Sequence, residues 1–264
     1  QANNMAFQSK VALVTGAATA PPPDARLPLP NAGAKVAAVD LDPRALERLA
    51  CESANIHTHV CDVSNLEAVE ALVAQVESGI GPIDRLTHCA AIMPGQSLRD
   101  MPAASITRMM SINYGGTVNM VKSVMPLMER RGRGDIIMFG SMAGDVLALN
   151  LGAYCATKSA TNTFAEVLAR ENKGGPLRLL LVCPPMVNTP LIEQAIAHGP
   201  AGLVESREAG RMVSPEFIID AIETAIEQGK WVVRPGSAGF MVLWRRLFPG
   251  LLWWAIEKSS KPKR

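Results

Sequence analysis

Tyr154 and Lys158 stand four positions apart in Tyr-Cys-Ala-Thr-Lys, and Ser141 lies thirteen residues upstream. On a helix, positions i and i+4 share a face, so the lysine ammonium sits beside the phenol. A phenol titrates near 10, and a neighbouring cation favours its ionised form and lowers that value. A hydroxyl such as Ser141, brought close from a strand end, holds a substrate oxygen for the same proton. The three together make a general acid/base device for an alcohol or a carbonyl. The chain has only two tyrosines, so this one is not a sample from a tyrosine-rich surface.

Such a device needs a scaffold, and the apolar pattern supplies one. Short apolar runs at 11–15, 35–39, 57–61, 83–87, 135–139 and 178–182 read as strands, with 231–233 a seventh. Several are continuous rather than alternating, as in strands covered on both faces. Helical periodicity runs through 43–50, 65–77, 104–129, 153–171 and 215–227. Asp42-Pro43 and Ser214-Pro215 are N-cap and first-turn pairs. The alternation predicts an α/β fold, a single Rossmann-like domain over residues 1–264. Its doubly wound parallel sheet has about seven strands, with helices on both faces. Ser141 then falls just past the fifth strand, and Tyr154 and Lys158 on the next helix. The carboxyl ends of strands are where open α/β sheets bind ligands.

Bulk properties exclude other classes. A chain of 264 residues buries about 70–75% of its unfolded surface and needs no covalent staple. A net charge of +2 and a pI near 8.3 give no broad basic field for nucleic acid. The five cysteines (51, 61, 89, 155, 183) are odd in number and scattered, as reduced thiols in the cytoplasm are. The first ten residues are polar and no apolar leader follows, so the expected location is cytoplasmic. The stretch 240–256 is broken by Arg245, Arg246 and Pro249-Gly250 and falls short of a spanning length.

The amino-terminal half carries a nucleotide signal and an obstacle. The first strand ends in Thr15-Gly16, where a dinucleotide fold makes its first turn. Twenty-four residues on, the second strand ends at Asp40. A carboxylate there accepts hydrogen bonds from ribose hydroxyls and repels a 2′-phosphate, which favours NAD over NADP. The competing reading of Asp40 is a helix-capping acid, since Asp42 follows. Between Gly16 and Gly33, Pro21, Pro22 and Pro23 remove three N–H donors. Pro28 and Pro30 would each cost a helix interior about 3 kcal/mol. The segment is expected to be extended or irregular, where a dinucleotide site wants glycines and a helix N-terminus.

In order and spacing, Thr15-Gly16, Asp40, Asp62-Val63, Asn113, Ser141, Tyr154-x-x-x-Lys158 and Cys183-Pro-Pro-Met-Val-Asn-Thr189 resemble the short-chain dehydrogenase/reductase family. The match runs from about residue 10 to 236. The resemblance implies an NAD-dependent oxidoreductase of secondary alcohols and ketones, with Tyr154 as acid/base. Lys158 would lower its pKa and hold the nicotinamide ribose, and Ser141 would orient the substrate oxygen. Asn113 would maintain a water chain behind the lysine. Asp62 and Val63 would contact the adenine, and Val187 and Thr189 the carboxamide. Gly16 and Ala90 would meet the cofactor through their backbone. A homo-oligomer, dimer or tetramer, is implied as well, through the 104–129 and Tyr154 helices.

Three departures from the family pattern stand out. His88-Cys89-Ala90-Ala91 replaces Asn-Asn-Ala-Gly, which weakens side-chain support and leaves backbone contacts. Pro184-Pro185 replaces Pro-Gly. The glycine loop has become Gly16-Ala-Ala-Thr-Ala-Pro-Pro, with the family's length but an alien composition from Ala20 to Asn31. Two compensating reading-frame errors in the recorded sequence would leave such a pattern, the alternative being a genuine loss of the loop. A fold kept for binding after loss of the cofactor is the alternative to an enzyme.

Other constellations read as structural. His57, His59 and Cys61 share a strand face, but on an expected buried central strand and without a fourth ligand, so no metal is expected. Met109, Met110, Met120, Met125 and Met128 are expected to serve packing or subunit contact. The loop 188–213 is apolar at Leu191, Ile192, Ala195, Ile196, Leu203, Val204 and Met212, which points to a lipophilic substrate. In the extension 237–264, Trp244, Phe248, Trp253 and Trp254 neighbour Arg245, Arg246 and a basic tail. That mixture makes either an interfacial membrane helix or a cover over an apolar site, and the cover or packing reading is preferred.

Overall fold

A computed structural model describes residues 11–17, 34–196, 199 and 201–259. Seven strands, all paired in parallel, form one sheet: β1 (Val11–Thr15), β2 (Lys35–Asp40), β3 (Ile56–Val60), β4 (Arg85–His88), β5 (Gly134–Phe139), β6 (Leu177–Val182) and β7 (Val232–Val233). Their spatial order is β3-β2-β1-β4-β5-β6-β7. The winding reverses between β1 and β4, and the crevice at that point is where doubly wound sheets bind ligands.

The helices are α1 (Pro43–Ala50), α2 (Leu66–Gly79), α3 (Ala103–Met110), α4 (Gly116–Arg131), α5 (Gly152–Glu171), α6 (Glu193–Ile196), α7 (Ala201–Glu208), α8 (Pro215–Glu227), α9 (Ala238–Leu247) and α10 (Pro249–Ser259). Strand parity sorts them into layers. Leu13, Val39, Leu86 and Ile136 pack with α2, α4 and α5 in the largest core cluster. The alternate positions along the strands turn the other way: Val14 and Ala38 meet Leu46 of α1, while Ile137 and Leu180 meet Ile218 and Ile222 of α8. Both faces are therefore apolar, which is why these strands read as unbroken hydrophobic runs.

The expected caps form. Asp42 accepts from the amides of Arg44 and Ala45, and Ser214 from that of Phe217, each ahead of a first-turn proline. Two expectations need correction. β3 is an edge strand with half-buried side chains rather than a buried central one, because the chain places it outermost, beyond β2. The helix expected over 104–129 is interrupted by a π turn at Ser111–Gly115. Residues 238–259 form two helices, α9 and α10, meeting at Phe248-Pro249, where the sequence breaks the stretch. Met109, Met120 and Met128 are wholly buried packing residues.

A buried ion cluster locks the amino ends of β4 and β5. Arg85, 1% exposed, pairs with Asp135 at 3.2 Å and with Glu223 of α8 at 2.6 Å, and Arg178 of β6 also binds Asp135. Burial raises the Asp135 carboxyl's pKa while the two guanidiniums pull it down. Removing one partner of such a cluster strands a buried charge. Asp135→Ala is expected to lower stability by about 3–5 kcal/mol, read as a reduced urea midpoint at unchanged slope. An unchanged midpoint would show that the cluster is dispensable.

Candidate active site

One face of α5 is fastened to the end of β5. Lys158, 4% exposed, donates from Nζ to the carbonyl of Phe139, the last residue of β5, at 2.7 Å. One turn on, Asn162 holds the next strand-end residue by both backbone groups. Its Nδ2 donates to the Ser141 carbonyl at 3.1 Å, and its Oδ1 accepts from the Ser141 amide at 3.4 Å. Residue 140 must be glycine here, because a Cβ would collide with Asn162 Oδ1. Ser141 then caps a single 3-10 turn, Met142–Gly144, its Oγ accepting from Ala143 at 3.0 Å. The Ser141 hydroxyl stands close enough to the Tyr154 phenol to oppose the rise in its pKa. Lys158 Nζ lies 5.7 Å from the centroid of the Tyr154 ring. The i, i+4 geometry expected of Tyr154 and Lys158 is present, and Ser141 joins them.

Asn113 sits behind this group, wholly buried, in the π turn. Its amide grips the Ile92 backbone from both sides, at 2.8 and 2.9 Å, and donates to Thr157 Oγ1 at 3.1 Å. Thr157 in turn donates to the Tyr154 carbonyl at 2.8 Å. Widening the helix by one residue presents Asn113 to both the loop after β4 and α5, a common use of π turns.

The cleft over these residues has a volume of about 430 Å³, and Gly16, Ser141, Tyr154, Lys158, Val187 and Thr189 all line it. Asp40, Asp62, Val63, Ala90 and Asn113, also singled out by sequence, are not among its lining residues. Gly16 has φ +69°, and a Cβ there would stand 2.9 Å from the backbone of Ala90, so both conformation and space demand glycine. Asp40 ends β2, its Oδ1 accepting from Leu41 and Asp42 at 2.7 and 3.1 Å. The cap of α1 falls to Asp42, so Asp40 is not the capping acid. Asp62 accepts from the amide and hydroxyl of Ser64. The Val63 side chain is buried against Gly116, where a Cβ would meet it at 2.6 Å. The proline run at 21–30 lies outside the described residues.

His88, one of the departures from the family pattern, does give side-chain support. Its Nδ1 meets Thr15 Oγ1 at 2.8 Å, and the Ala90 amide donates to the same hydroxyl at 3.3 Å. The ends of β1 and β4 are thereby stitched together. Sequence reasoning missed His88, Thr157 and Asn162 as positioning residues. Asn162 had a legible signal, since it continues the Tyr154–Lys158 face by four more positions. His57, His59 and Cys61 do not assemble further ligands: no cluster of three metal-binding side chains occurs among the described residues.

Burial dominates the electrostatics. The Lys158 ammonium is driven down from 10.5 to about 8 by loss of water. Tyr154 is pushed above its ordinary value by the same cause, opposed by the Ser141 hydroxyl. Lys158 is not among the groups that shift the phenol here, where desolvation of the phenolate dominates. His88 falls to about 3, through burial first and Lys158 second, and so is neutral near pH 7. Cys89 rises to about 12 through burial, so no thiolate competes in the cleft. A linkage follows for Lys158. Below about pH 8 both folded and unfolded lysine are protonated, and the burial penalty is fully present. Between about 8 and 10.5 the unfolded chain holds more protons, so this group makes stability rise with pH. Lys158→Met is expected to be more stable than wild type near pH 7, with the difference shrinking by pH 10.5 in paired denaturant titrations. A constant difference would show that Lys158 is not titrating in that window.

The family described as short chain dehydrogenase matches residues 10–198. The probable oxidoreductase EphD of Mycobacterium tuberculosis is 29% identical over 244 residues, covering 87% of this chain and 41% of that protein. The 2-keto-3-deoxy-L-fuconate dehydrogenase of Xanthomonas campestris is 34% identical over 194 residues, covering 73% of this chain and 63% of that protein. The chain thus spans under two thirds of the length of each. A short-chain dehydrogenase/reductase from Burkholderia phymatum, solved in complex with NAD, shares the fold at a TM-score of 0.76 and 23% identity, with 98% of each chain covered. With its seven-stranded parallel sheet and a family match across most of its length, this chain belongs to the short-chain dehydrogenase/reductase family.

Proposed function

We propose that this chain is an NAD-linked oxidoreductase that interconverts a lipophilic secondary alcohol and its ketone, with Tyr154 as acid/base. The observation that carries the reading is the convergence of Ser141, Tyr154 and Lys158 in one apolar cleft. Lys158 is the only charged side chain on its walls among the described residues. Leu147, Leu151, Met186, Leu191 and Ile192 make up much of the remainder. Such walls reward apolar substrate surface and penalise an unpaired charge.

The described residues fit a nicotinamide dinucleotide. Gly16 offers bare main chain beside Ala90, where a phosphate-bearing ligand needs close approach. Asp40, at the end of β2, would take the adenosine ribose, and Asp62 and Val63 lie at the next strand end for the adenine. Lys158, Val187 and Thr189 face the cleft for the nicotinamide end. When bound, the dinucleotide supplies the hydride acceptor or donor. In reduction the neutral Tyr154 phenol gives its proton to the carbonyl oxygen, and in oxidation it takes the proton back. Ser141 Oγ hydrogen-bonds the same oxygen and holds it against the phenol. Lys158, anchored on Phe139, places a cation where the phenolate forms. Asn113 and Thr157 fix the first turns of α5.

One observation favours a second reading, a cofactor-free binding protein: prolines stand at 21–23, 28 and 30 where the glycine loop belongs. Calorimetric titration separates the two. Micromolar binding of NADH, weaker binding of NADPH, and a narrowed preference in Asp40→Ala are the expected outcomes. Failure of both nucleotides to bind would leave the second reading. Tyr154→Phe is expected to cut kcat by roughly 10²–10⁴ with NADH affinity and Tm nearly unchanged. Retained turnover would place the proton transfer elsewhere.

A further inference from the structure

The two C-terminal helices have two apolar sides. On the inner side, Val242 of α9 and Leu252 of α10 are buried with Val146, and Met241 and Ile256 line the cleft. That packing already satisfies an amphipathic pair. The outer side is apolar too: Phe240, Leu243 and Leu247 on α9, Phe248 at the break, and Leu251 and Trp254 on α10 are each between 51% and 65% exposed. Within each helix these positions recur at i, i+3 or i+7, so they form ridges rather than scatter. Contiguous exposed apolar surface of this kind marks a contact with something else.

Charge identifies the occupant. Residues 238–264 carry six basic side chains and a single acid, Glu257, while residues 1–237 are net negative by three. Two of the basic groups sit over tryptophans, Lys258 Nζ 5.0 Å from the exposed Trp254 ring and Arg245 5.6 Å from that of the half-buried Trp253. Arg246 is exposed beside them. An apolar ridge rimmed with cations and tryptophans suits the headgroup boundary of an anionic bilayer. A second copy of the same face would bring two strongly basic patches together. No helix among the described residues is long and apolar enough to cross a membrane, so contact would be along the surface.

We infer that the outer face of α9 and α10 docks on anionic lipid bilayers, which places the cleft and the bilayer on opposite sides of the same two helices. The test is flotation of the full chain with phosphatidylcholine vesicles, with and without phosphatidylserine, read together with tryptophan emission. Binding to the anionic vesicles with a blue shift, weakened at high salt, is expected. Phe240→Gln/Leu247→Gln/Trp254→Gln is expected to lose roughly tenfold or more of that affinity at unchanged Tm. Should the triple variant fold poorly, Arg246→Glu/Lys258→Glu, confined to exposed charges, is expected to abolish the preference for phosphatidylserine. Failure to float at low salt would overturn the inference, as would flotation that neither variant weakens. A solution dimer that the apolar variant dissolves would assign the face to a second copy instead.

Discussion

The arrangement depends on the seam between α5 and the carboxyl end of β5. Three hydrogen bonds make it: Lys158 to the Phe139 carbonyl, and Asn162 to both backbone groups of Ser141. Tyr154 and Ser141 come from different elements, and the proposed chemistry, in which both meet one substrate oxygen, tolerates only a few tenths of an ångström of misplacement. Because Tyr154, Lys158 and Asn162 are four residues apart in turn, one helix face positions the phenol and ties down the hydroxyl it must meet. Gly140 permits the close approach, and Asn113 with Thr157 braces the same helix from behind.

The two ends of the sheet treat polar groups in opposite ways. At the amino end, Arg85, Asp135, Arg178 and Glu223 satisfy one another, and the cluster is a structural lock. At the carboxyl end, Thr87 Oγ1 and His88 Nε2 are buried without a hydrogen-bond partner. Lys158 is kept as a buried cation at a depressed pKa of about 8. Desolvated groups that destabilise the fold are common where ligands and chemistry are to be met.

Much of this was legible in the sequence. Short apolar runs located the seven described strands to within a couple of residues, and several are continuous because burial on both faces leaves no polar alternation. Prolines after Asp42 and Ser214 marked two helix starts. Tyr154, Lys158 and Ser141 could be paired from spacing alone, since a helix turn and a strand end are local geometries. The misreadings had nonlocal causes. β3 looked central because it leads into Asp62, yet sheet order is set by crossovers and not by local sequence. The π turn at Ser111–Gly115 was invisible because its driver, Asn113 gripping Ile92, spans twenty-one residues.

By itself, then, the sequence determined the α/β alternation, the family and the helix face shared by Tyr154 and Lys158, all of which rest on short-range periodicity and motif spacing. Only the tertiary structure decided which way the phenol's pKa moves, because desolvation depends on what the fold packs around it. It also decided that Asp42 and not Asp40 caps α1, and that Val63 turns its side chain into the core. Last, it resolved the C-terminal stretch into two helices with a covered inner face and an exposed outer one. Composition records how many apolar residues a segment has, and only packing determines which of them remain in water.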